Sequence, residues 1–367
     1  MWTAYHLRNS GNSVLLLDAF GAANDRSSSG DESRVVRLGY GSDELYTRSA
    51  VRSLSMWMEI LEDRRVMPLF QRTGSLWMGK KNDRYMQETV RVLRATGVKL
   101  EEFSGDDLGK RFPQFETEDV EWATLETESG ALLACHAVRA VLDSYTVRGG
   151  KFAIRKVVAP PRRVRNLSSI TTEKGEEISA AVFVFACGPW LGKIFPDLLR
   201  QRLFVTRQQV FYFATPQGTL YHPARLPVWY HQEDQCYGLP DLNKHGVKAV
   251  SDRYGPAFDP DTGDRSVNGE GLAEIRAYLA RRLPSLANAS VVDSKVCQYE
   301  NTSSGDFLLD RHPEADNVWL AGGGSGHGFK HGPTVGEYLS QQIDGTGKVE
   351  PRFSLSSKGT VQRRTVF

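Results

Sequence analysis

The sequence predicts an α/β fold, built as two domains or as one elaborate domain. Three observations indicate it. Short continuous apolar runs, typical of buried parallel strands, end at an acid or at glycines. Apolar residues recur every three or four positions between those runs, as in amphipathic helices. Several strand-like runs follow one another across residues 203–251, and 367 residues suffice for two domains.

The composition is that of a globular protein and excludes several classes. Lys and Arg number 46 against 44 Asp and Glu, and this net charge of +2 argues against a dedicated nucleic-acid binder. No stretch approaches the roughly 20 apolar residues of a membrane helix. The four cysteines form no CxxC pair, so neither a disulfide scaffold nor a structural zinc site is indicated. No secretory signal opens the chain, and the expected location is the cytoplasm.

The first residues are typical of a helix followed by a short strand. Residues 1–8 are predicted to be helical, Gly11 ends the helix, and residues 14–17 form an apolar strand with Asp18 at its end. An acid at the end of the second strand of a βαβ unit commonly binds the ribose of a dinucleotide. The glycine-rich loop that precedes such an acid by about 20 residues would lie before Met1. An Asp after a strand also occurs with no function, so both interpretations stay open here.

The remaining elements follow from periodicity and from turn residues. Residues 152–185 are predicted to alternate between short strands and charged turns, and the polar tail from Ser354 is expected to run over the surface. Helices are predicted near residues 47–61, 86–93, 272–283 and 334–343, and strands near 75–78, 181–186, 203–214, 228–251 and 318–321.

The strongest local signal is the glycine-rich segment 322–328, which lies between a predicted strand and a predicted helix. Such a loop presents backbone N–H groups and a helix N-terminus to negative charge. Tight packing of a turn is the alternative explanation. His327 and Lys330 lie within or next to this segment and favour ligand contact.

Other polar residues allow more than one interpretation. Arg34 and Arg37 suit carboxylate or phosphate recognition, or are simply solvated. Lys248 lies in an apolar run, where alternation alone favours a solvent-facing lysine. Cys297, by pattern alone, is a small buried apolar residue. The histidines show no metal-ligand spacing, and we expect no metal site.

Six segments together carry a resemblance to one family. The sequence resembles the monomeric sarcosine oxidase and N-methyltryptophan oxidase group of FAD-dependent amine oxidases, within the D-amino-acid-oxidase superfamily, over nearly its whole length. The segments are LLLDAF (15–20), SSGDESRVVRLGYG (28–41), RTGSLWMG (72–79), ACGPW (186–190), VCQYENTSSGDFLLDRHPE (296–314) and GGGSGHGFKHGPTVGE (322–337).

The resemblance implies an α/β fold with two domains. One is a Rossmann-like FAD-binding domain that lacks its first strand and GxGxxG loop, and the other is an α+β substrate domain built on a mixed or antiparallel sheet. The resemblance divides the chain into an FAD-binding domain of residues 1–63, 134–201 and 292–367 and a substrate domain of residues 64–133 and 202–291. In this family FAD is attached through a cysteine sulfur, and the motif makes that residue Cys297. This implication replaces the interpretation of Cys297 from pattern alone.

The resemblance also implies roles for single residues. Arg37 and Lys330 would clamp the substrate carboxylate, Arg34 would lie against the flavin ring, and Lys248 would activate oxygen. Tyr237 and Tyr299 would wall the substrate cavity. Further cofactor contacts are implied for Asp18, Ser28, Ser29, Gly188, Trp190, Gly322, Gly324, Gly326, His327, Gly328 and Lys330 itself.

The implied reaction is oxidation of an N-methyl or cyclic secondary amino acid. A hydride equivalent passes to flavin N5, the imine product hydrolyses, and O2 reoxidises the flavin to give H2O2. The implied partners are a small amino-acid substrate and O2, with no nucleic acid or membrane, and the implied state is a monomer. One rival is a flavin dehydrogenase with another electron acceptor. The other is a degenerate member that binds no FAD.

Two features depart from the family pattern. The GxGxxG strand and loop are missing before Met1, which we expect to reflect a misassigned start because the rest of the site is intact. Asp252 stands where sarcosine oxidases have a histidine four residues after the lysine. An acid there changes the charge near the amine, which puts sarcosine itself in question and allows a larger or more basic secondary amino acid.

Overall fold

The structure is a computed structural model that describes residues 1–161 and 164–363. Residues 162 and 163, in the predicted charged turns, and residues 364–367, in the predicted polar tail, lie outside the described residues. The helices are α1 (Trp2–Asn9), α2 (Glu44–Asp63), α3 (Arg84–Ala95), α4 (Gly105–Arg111), α5 (Ala134–Val147), α6 (Leu191–Ile194), α7 (Pro196–Leu199), α8 (Gly269–Arg282) and α9 (Gly332–Ile343).

The strands include all of those predicted, together with strands within residues 33–36, 70–71, 100–133 and 291–311 that the sequence pattern did not predict. They are β1 (Leu15–Asp18), β2 (Ser33–Val36), β3 (Phe70–Gln71), β4 (Ser75–Gly79), β5 (Leu100–Phe103), β6 (Trp122–Glu126), β7 (Gly130–Leu133), β8 (Lys151–Ile154), β9 (Ser169–Thr171), β10 (Glu177–Ser179), β11 (Phe183–Phe185), β12 (Phe204–Phe213), β13 (Val228–His231), β14 (Cys236–Leu239), β15 (Val247–Ser251), β16 (Val291–Asn301), β17 (Leu308–Arg311) and β18 (Val318–Gly322).

The largest sheet has eight strands in the order β16-β12-β15-β14-β13-β4-β6-β5. Its neighbours are antiparallel except β13 and β4, which are parallel, so the prediction of a mixed sheet is confirmed. Because side chains alternate along a strand, each strand presents two faces. On one face, residues such as Phe211 and Ala249 pack against Ile275 and Leu279 of α8 in an apolar core. The other face carries polar groups as well, and the candidate site is built on it.

The parallel strands expected of the nucleotide-binding domain form two separate sheets. β1 pairs with β8, and β11 pairs with β18, which is also antiparallel to β17. The pairing direction is confirmed, but the predicted burial of the first strand is wrong, since Leu15 is 43% exposed. The physical reason is that no strand within residues 1–161 and 164–363 pairs with the second edge of β1 or of β11.

A small antiparallel sheet of three strands, in the order β2-β7-β3, contacts the helix α5 through β2 and β7. The long helix α2 begins at Asp43, whose carboxylate accepts the backbone N–H of Tyr46. Such capping satisfies a donor that the first turn of a helix leaves unpaired. α1 and α2 both pack against α9, so the three helices form one layer beside the glycine-rich loop.

The chain after α9 differs from its prediction. Leu355 is 9% exposed and Lys358 only 1%, so this part of the predicted surface tail is packed against the molecule. The Lys358 ammonium donates to the carbonyl of Arg352 at 2.6 Å, and burial lowers the pKa of this lysine to about 8. In the part of the chain that the structure describes, no helix combines the length and apolar character needed to cross a membrane.

Candidate functional site

A layer of charged and phenolic side chains lies on the second face of the eight-stranded sheet. Lys248 in β15 is paired with Tyr212 in β12, so the two side chains share this face. The segment at β2 covers them, and the Lys248 ammonium donates to Asp31 at 2.5 Å and to the Ser33 carbonyl at 3.0 Å. The predicted solvent exposure of Lys248 is therefore wrong. The lysine is 2% exposed because protein, not water, covers this face.

Asp31 accepts hydrogen bonds from three side chains. Besides Lys248, the guanidinium of Arg34 donates at 2.7 Å and the hydroxyl of Tyr212 at 2.8 Å. Burial opposes ionisation of the carboxyl, but Lys248, Arg34 and these hydrogen bonds outweigh it and hold the pKa of Asp31 well below its usual range. The layer thus contains a permanently charged carboxylate between two cationic side chains.

Cys297 lies at the edge of this layer, on β16. Its Sγ is 3.8 Å from a guanidinium nitrogen of Arg34 and 3.9 Å from the carbonyl oxygen of Ser28. The same guanidinium donates to the Ser28 carbonyl at 2.7 Å, and the Ser28 hydroxyl donates to the carbonyl of Gln298 at 2.8 Å. The structure therefore brings together Cys297, Arg34 and Ser28, which were predicted separately.

Two tyrosines connect the layer to the glycine-rich loop. The hydroxyls of Tyr237 and Tyr299 are hydrogen-bonded to each other, and burial followed by nearby negative charge raises the pKa of both. Asp252 is one of those negative neighbours and is 7% exposed. A Cβ atom added to Gly326 would lie 2.6 Å from the ring of Tyr299. This glycine lets the loop approach the tyrosine ring directly.

Arg37 follows β2 and is held by aromatic rings. Its guanidinium carbon lies 4.4 Å from the centre of the Tyr40 ring and 5.0 Å from that of Trp77. Such cation–π contacts hold the cation in place. The buried carboxylate of Glu126 accepts from the backbone N–H of Gly39 and from the indole N–H of Trp77, both at 3.0 Å. Glu126 therefore fixes both the turn after Arg37 and the ring against which it packs.

Lys330 lies at the centre of a buried hydrogen-bond network. Its ammonium contacts the Tyr40 hydroxyl at 2.7 Å and the carbonyl of His327 at 3.1 Å. Tyr40 also contacts His331 Nε2 at 2.7 Å, and His331 Nδ1 contacts the Ser49 hydroxyl at 2.8 Å. The Tyr40 hydroxyl therefore links the Lys330 ammonium to His331, which precedes α9, and through His331 to Ser49 of α2.

Burial and nearby charges together set the pKa of Lys330, and they do not all act in the same direction. Burial lowers the pKa of Lys330 well below its usual value, and Arg37 lowers it further. Asp252 and Glu126 oppose this shift. Because burial and Arg37 both disfavour the charged form of Lys330, an added negative charge such as a carboxylate would stabilise it.

The carboxyl ends of the parallel strands meet at another group of residues. Asp18 ends β1, Cys187 follows β11, and Glu300 lies beside Gly322 at the end of β18. Burial raises the pKa of the Cys187 thiol to about 12, with further contributions from Glu300 and Asp18, so the three groups are neighbours. Burial lowers the pKa of the Met1 amino group, at the start of α1, and the negative charge of Asp18 opposes this shift. Ligands of open α/β sheets bind at such carboxyl ends.

These residues fit the FAD that the resemblance implies. A Cβ atom on Gly188 would meet nothing within 4 Å, and one on Gly324 would meet only the Cα of Gly328, at 3.9 Å, so backbone in both turns is open to a ligand. Asp18 could hold hydroxyl groups and Cys297 could supply the attachment sulfur. In addition, one buried carboxylate oxygen of Glu300 lacks a hydrogen-bond partner among the described residues.

Other predicted contacts lie at the margins of this region. Trp190 packs against Phe20 with ring centres 5.6 Å apart, and its indole N–H donates to Asp261 at 2.7 Å. The Ser29 hydroxyl lies 3.1 Å from that of Ser27. Their roles as cofactor contacts stay predictions. Within residues 1–161 and 164–363, no group of three or more His, Cys, Asp or Glu side chains could hold a metal ion.

Sequence reasoning missed several residues of the site. Asp31 and Tyr40 stand inside a segment that the resemblance quoted, but no periodicity sets them apart. Glu126 is an acid at the end of an apolar strand, which is a usable signal for burial. His331 and Glu300 are polar residues in segments read for their neighbours, Lys330 and Cys297, and only the fold shows that both are buried.

Comparison with known proteins assigns the family. The sequence matches the DAO family, described as FAD dependent oxidoreductase, over residues 1–342. The chain therefore belongs to this family of FAD-dependent oxidoreductases. The predicted fold class is confirmed, because solved structures of an L-proline dehydrogenase and a fructosyl peptide oxidase share the fold.

Two relatives and one solved structure refine this assignment. The chain is 30% identical to the monomeric sarcosine oxidase of Bacillus sp. (strain B-0618), with 100% of this chain and 96% of that protein covered. It is 25% identical to the N-methyl-L-tryptophan oxidase of Salmonella heidelberg (strain SL476), covering 91% and 88%. L-proline dehydrogenase from P. horikoshii superimposes with a TM-score of 0.83 at 18% identity, covering 96% and 93%. The chain is an FAD-dependent amine oxidoreductase related to sarcosine oxidases.

Proposed function

We propose that this protein oxidises N-methyl or cyclic secondary amino acids and passes the electrons to O2, releasing H2O2 and an imine that hydrolyses in water. The observation that carries the proposal is that two buried basic side chains, Arg37 and Lys330, interact electrostatically, and that Asp252 acts both on Lys330 and on the tyrosines Tyr237 and Tyr299. Cations that bind a carboxylate and aromatic rings that enclose an alkylated amine are what such a substrate requires.

FAD, when bound, supplies the oxidising chemistry by accepting the electron pair of the C–H bond next to nitrogen. We assign Cys297 as its covalent attachment point and Arg34 as the cation beside its ring. Arg37 and Lys330 would hold the substrate carboxylate, so that binding orients the reacting C–H bond. The Tyr237 and Tyr299 rings would exclude water from the other side. We expect the enzyme to act as a monomer on small substrates.

Binding of a substrate carboxylate would change the protonation equilibrium of Lys330. Burial and Arg37 lower its pKa, so the free site disfavours a second positive charge. An incoming carboxylate supplies a negative charge beside the lysine and so favours its protonated form. The pair therefore selects for an anionic group and disfavours neutral amines.

Asp252 supports a substrate other than sarcosine. The carboxyl is buried near Tyr237, Tyr299 and Lys330. A negative charge at the amine end of the site favours a substrate with positive charge there. We therefore propose a larger or more basic secondary amino acid than sarcosine.

One observation favours a second candidate, a flavin dehydrogenase with a non-oxygen acceptor. Lys248 is paired at 2.5 Å with Asp31, which compensates its positive charge. A compensated lysine stabilises superoxide-like charge less than a free one. Asp31 also accepts hydrogen bonds from Arg34 and Tyr212, however, so its negative charge is shared among three donors and compensates Lys248 only in part. We therefore keep oxygen as the preferred acceptor.

A substrate panel tests the proposal directly. The purified flavoprotein would be incubated with N-methyl amino acids of small, large and basic side chains, with cyclic secondary amino acids, and with primary amino acids as controls. Peroxide formation in air is compared with reduction of an artificial acceptor under nitrogen. We expect peroxide from secondary amino acids only. Turnover with the artificial acceptor alone would favour the dehydrogenase, and no turnover across the panel in either assay would overturn the proposal.

A further inference from the structure

Glu300 is a buried carboxyl group that is only half satisfied. It lies on β16, next to Tyr299, and is 5% exposed. Its Oε2 accepts the backbone N–H of Gly323 at 2.8 Å. Its Oε1 is buried and has no hydrogen-bond partner among the described residues. Buried polar atoms are rarely left without a partner, so the free oxygen calls for an explanation.

The free oxygen points to the meeting place of the parallel strands. Oε1 lies 2.8 Å from the position that a Cβ of Gly322, the last residue of β18, would take. Glu300 and Asp18 both act on the thiol of Cys187, which follows β11. Glu300 therefore lies near the ends of β11 and β18, with the end of β1 beside Cys187, at the edge where α/β proteins bind the phosphates and sugars of their ligands.

The surroundings keep the group protonated at neutral pH. Burial raises the pKa of Glu300 to about 8, against the opposing effect of the N–H groups of Gly323 and Gly324. A protonated carboxyl group has one O–H donor. With Oε2 already accepting from Gly323, the proton belongs on Oε1, where it can be donated to a ligand oxygen. A neutral donor also avoids placing a negative charge next to a phosphate.

We propose that Glu300 is a cofactor-binding residue whose Oε1, as the neutral acid, donates a hydrogen bond to an oxygen of the chain that links the two halves of FAD. This inference rests on the proposed use of FAD and adds a residue to its site. The role does not follow from capping the glycine-rich loop, because one oxygen is enough for that contact. A glutamine could cap the loop with its carbonyl and donate with its amide, so it mimics the neutral acid but cannot ionise.

Reversible FAD binding tests the inference. The parent would be Cys297→Ala, so that no covalent link traps the flavin, and it is compared with the same protein carrying Glu300→Gln or Glu300→Ala. Flavin fluorescence quenching gives the dissociation constant between pH 6.5 and 9.5, and circular dichroism checks that each variant folds. The other titratable groups at this edge are Cys187 and Asp18, with the amino group of Met1 interacting with Asp18, and all three are unchanged in the glutamine variant.

We expect the parent to lose affinity by about tenfold per pH unit above pH 8, as linkage to one proton requires. Glu300→Gln should bind as the parent does at pH 7 and show no such loss, and Glu300→Ala should bind more weakly than the parent at pH 7. The inference is overturned if the glutamine variant shows the same pH dependence, or if the alanine variant binds as tightly as the parent. A parent that binds no FAD at any pH would overturn the proposed function as well, which separates the two failures.

Discussion

Asp31 is the residue on which the charge balance of the site depends. Its carboxylate accepts hydrogen bonds from Lys248, Arg34 and the hydroxyl of Tyr212, and its side chain is 4% exposed. Removing one partner of a buried ion pair leaves the other charge uncompensated, whereas an exposed pair loses little. The carboxylate therefore stabilises the covered face of the sheet and sets the charge that Lys248 presents.

Replacing Asp31 tests this balance. We expect Asp31→Asn to lower the free energy of unfolding by about 3–5 kcal/mol, because Lys248 stays buried without its partner. The matched control is Glu44→Gln, which removes the exposed pair with Arg48 and should cost no more than about 0.5 kcal/mol. Urea denaturation of both variants measures the difference. Equal effects of the two substitutions would contradict the assigned role of Asp31.

The glycine-rich loop is the element that joins cofactor and substrate residues. It leaves β18 at Gly322, passes Tyr299 at Gly326, and carries Lys330 into the network of Tyr40. Gly326 has a φ of +80°, a conformation that residues with a Cβ rarely adopt. The conformation and the close approach to Tyr299 both require glycine at this position.

A pair of alanine substitutions separates these two requirements. Gly326→Ala and Gly345→Ala both place a side chain at positive φ, which costs about 1–2 kcal/mol. Only at Gly326 would the new Cβ lie 2.6 Å from a ring, and overpacking adds about 1–3 kcal/mol. Gly345 has nothing within 4 Å. We expect the larger loss of unfolding free energy for Gly326→Ala, and similar losses would show that the contact with Tyr299 is not tight.

At the scale of the whole molecule, several amphipathic helices and buried strands could be predicted from the sequence, whereas β5, β6, β7, β16 and the helix α5 were not predicted. Periodicity identified α3, whose Met86, Val90 and Leu93 are all buried, because one helix face packs against one core. The alternation of apolar and polar residues predicted a solvent-facing Lys248, which is wrong. Alternation does not distinguish a sheet face in water from a sheet face covered by another layer of protein. It could not reveal Asp31 or Glu126, whose burial depends on contacts between segments distant in the chain. The domain boundaries stay a prediction.

The candidate site shows the same division. Cys297, Arg34, Arg37 and Lys330 were identified because their motifs resemble those of a family. Glu300 has no such motif, and its importance comes from the strands that end near it. Local sequence patterns therefore predict helices, strands and familiar motifs. The three-dimensional arrangement is needed to identify residues whose role depends on their being buried.

The central claim is that this chain holds FAD through Cys297, and one measurement tests it most directly. The visible spectrum of the purified protein would be recorded, and the protein then precipitated with acid. We predict a yellow protein whose colour stays in the pellet, and for Cys297→Ala a colour that moves to the supernatant. Release of the flavin from the unsubstituted protein would contradict the covalent link, and a colourless protein would contradict the claim that this chain holds FAD.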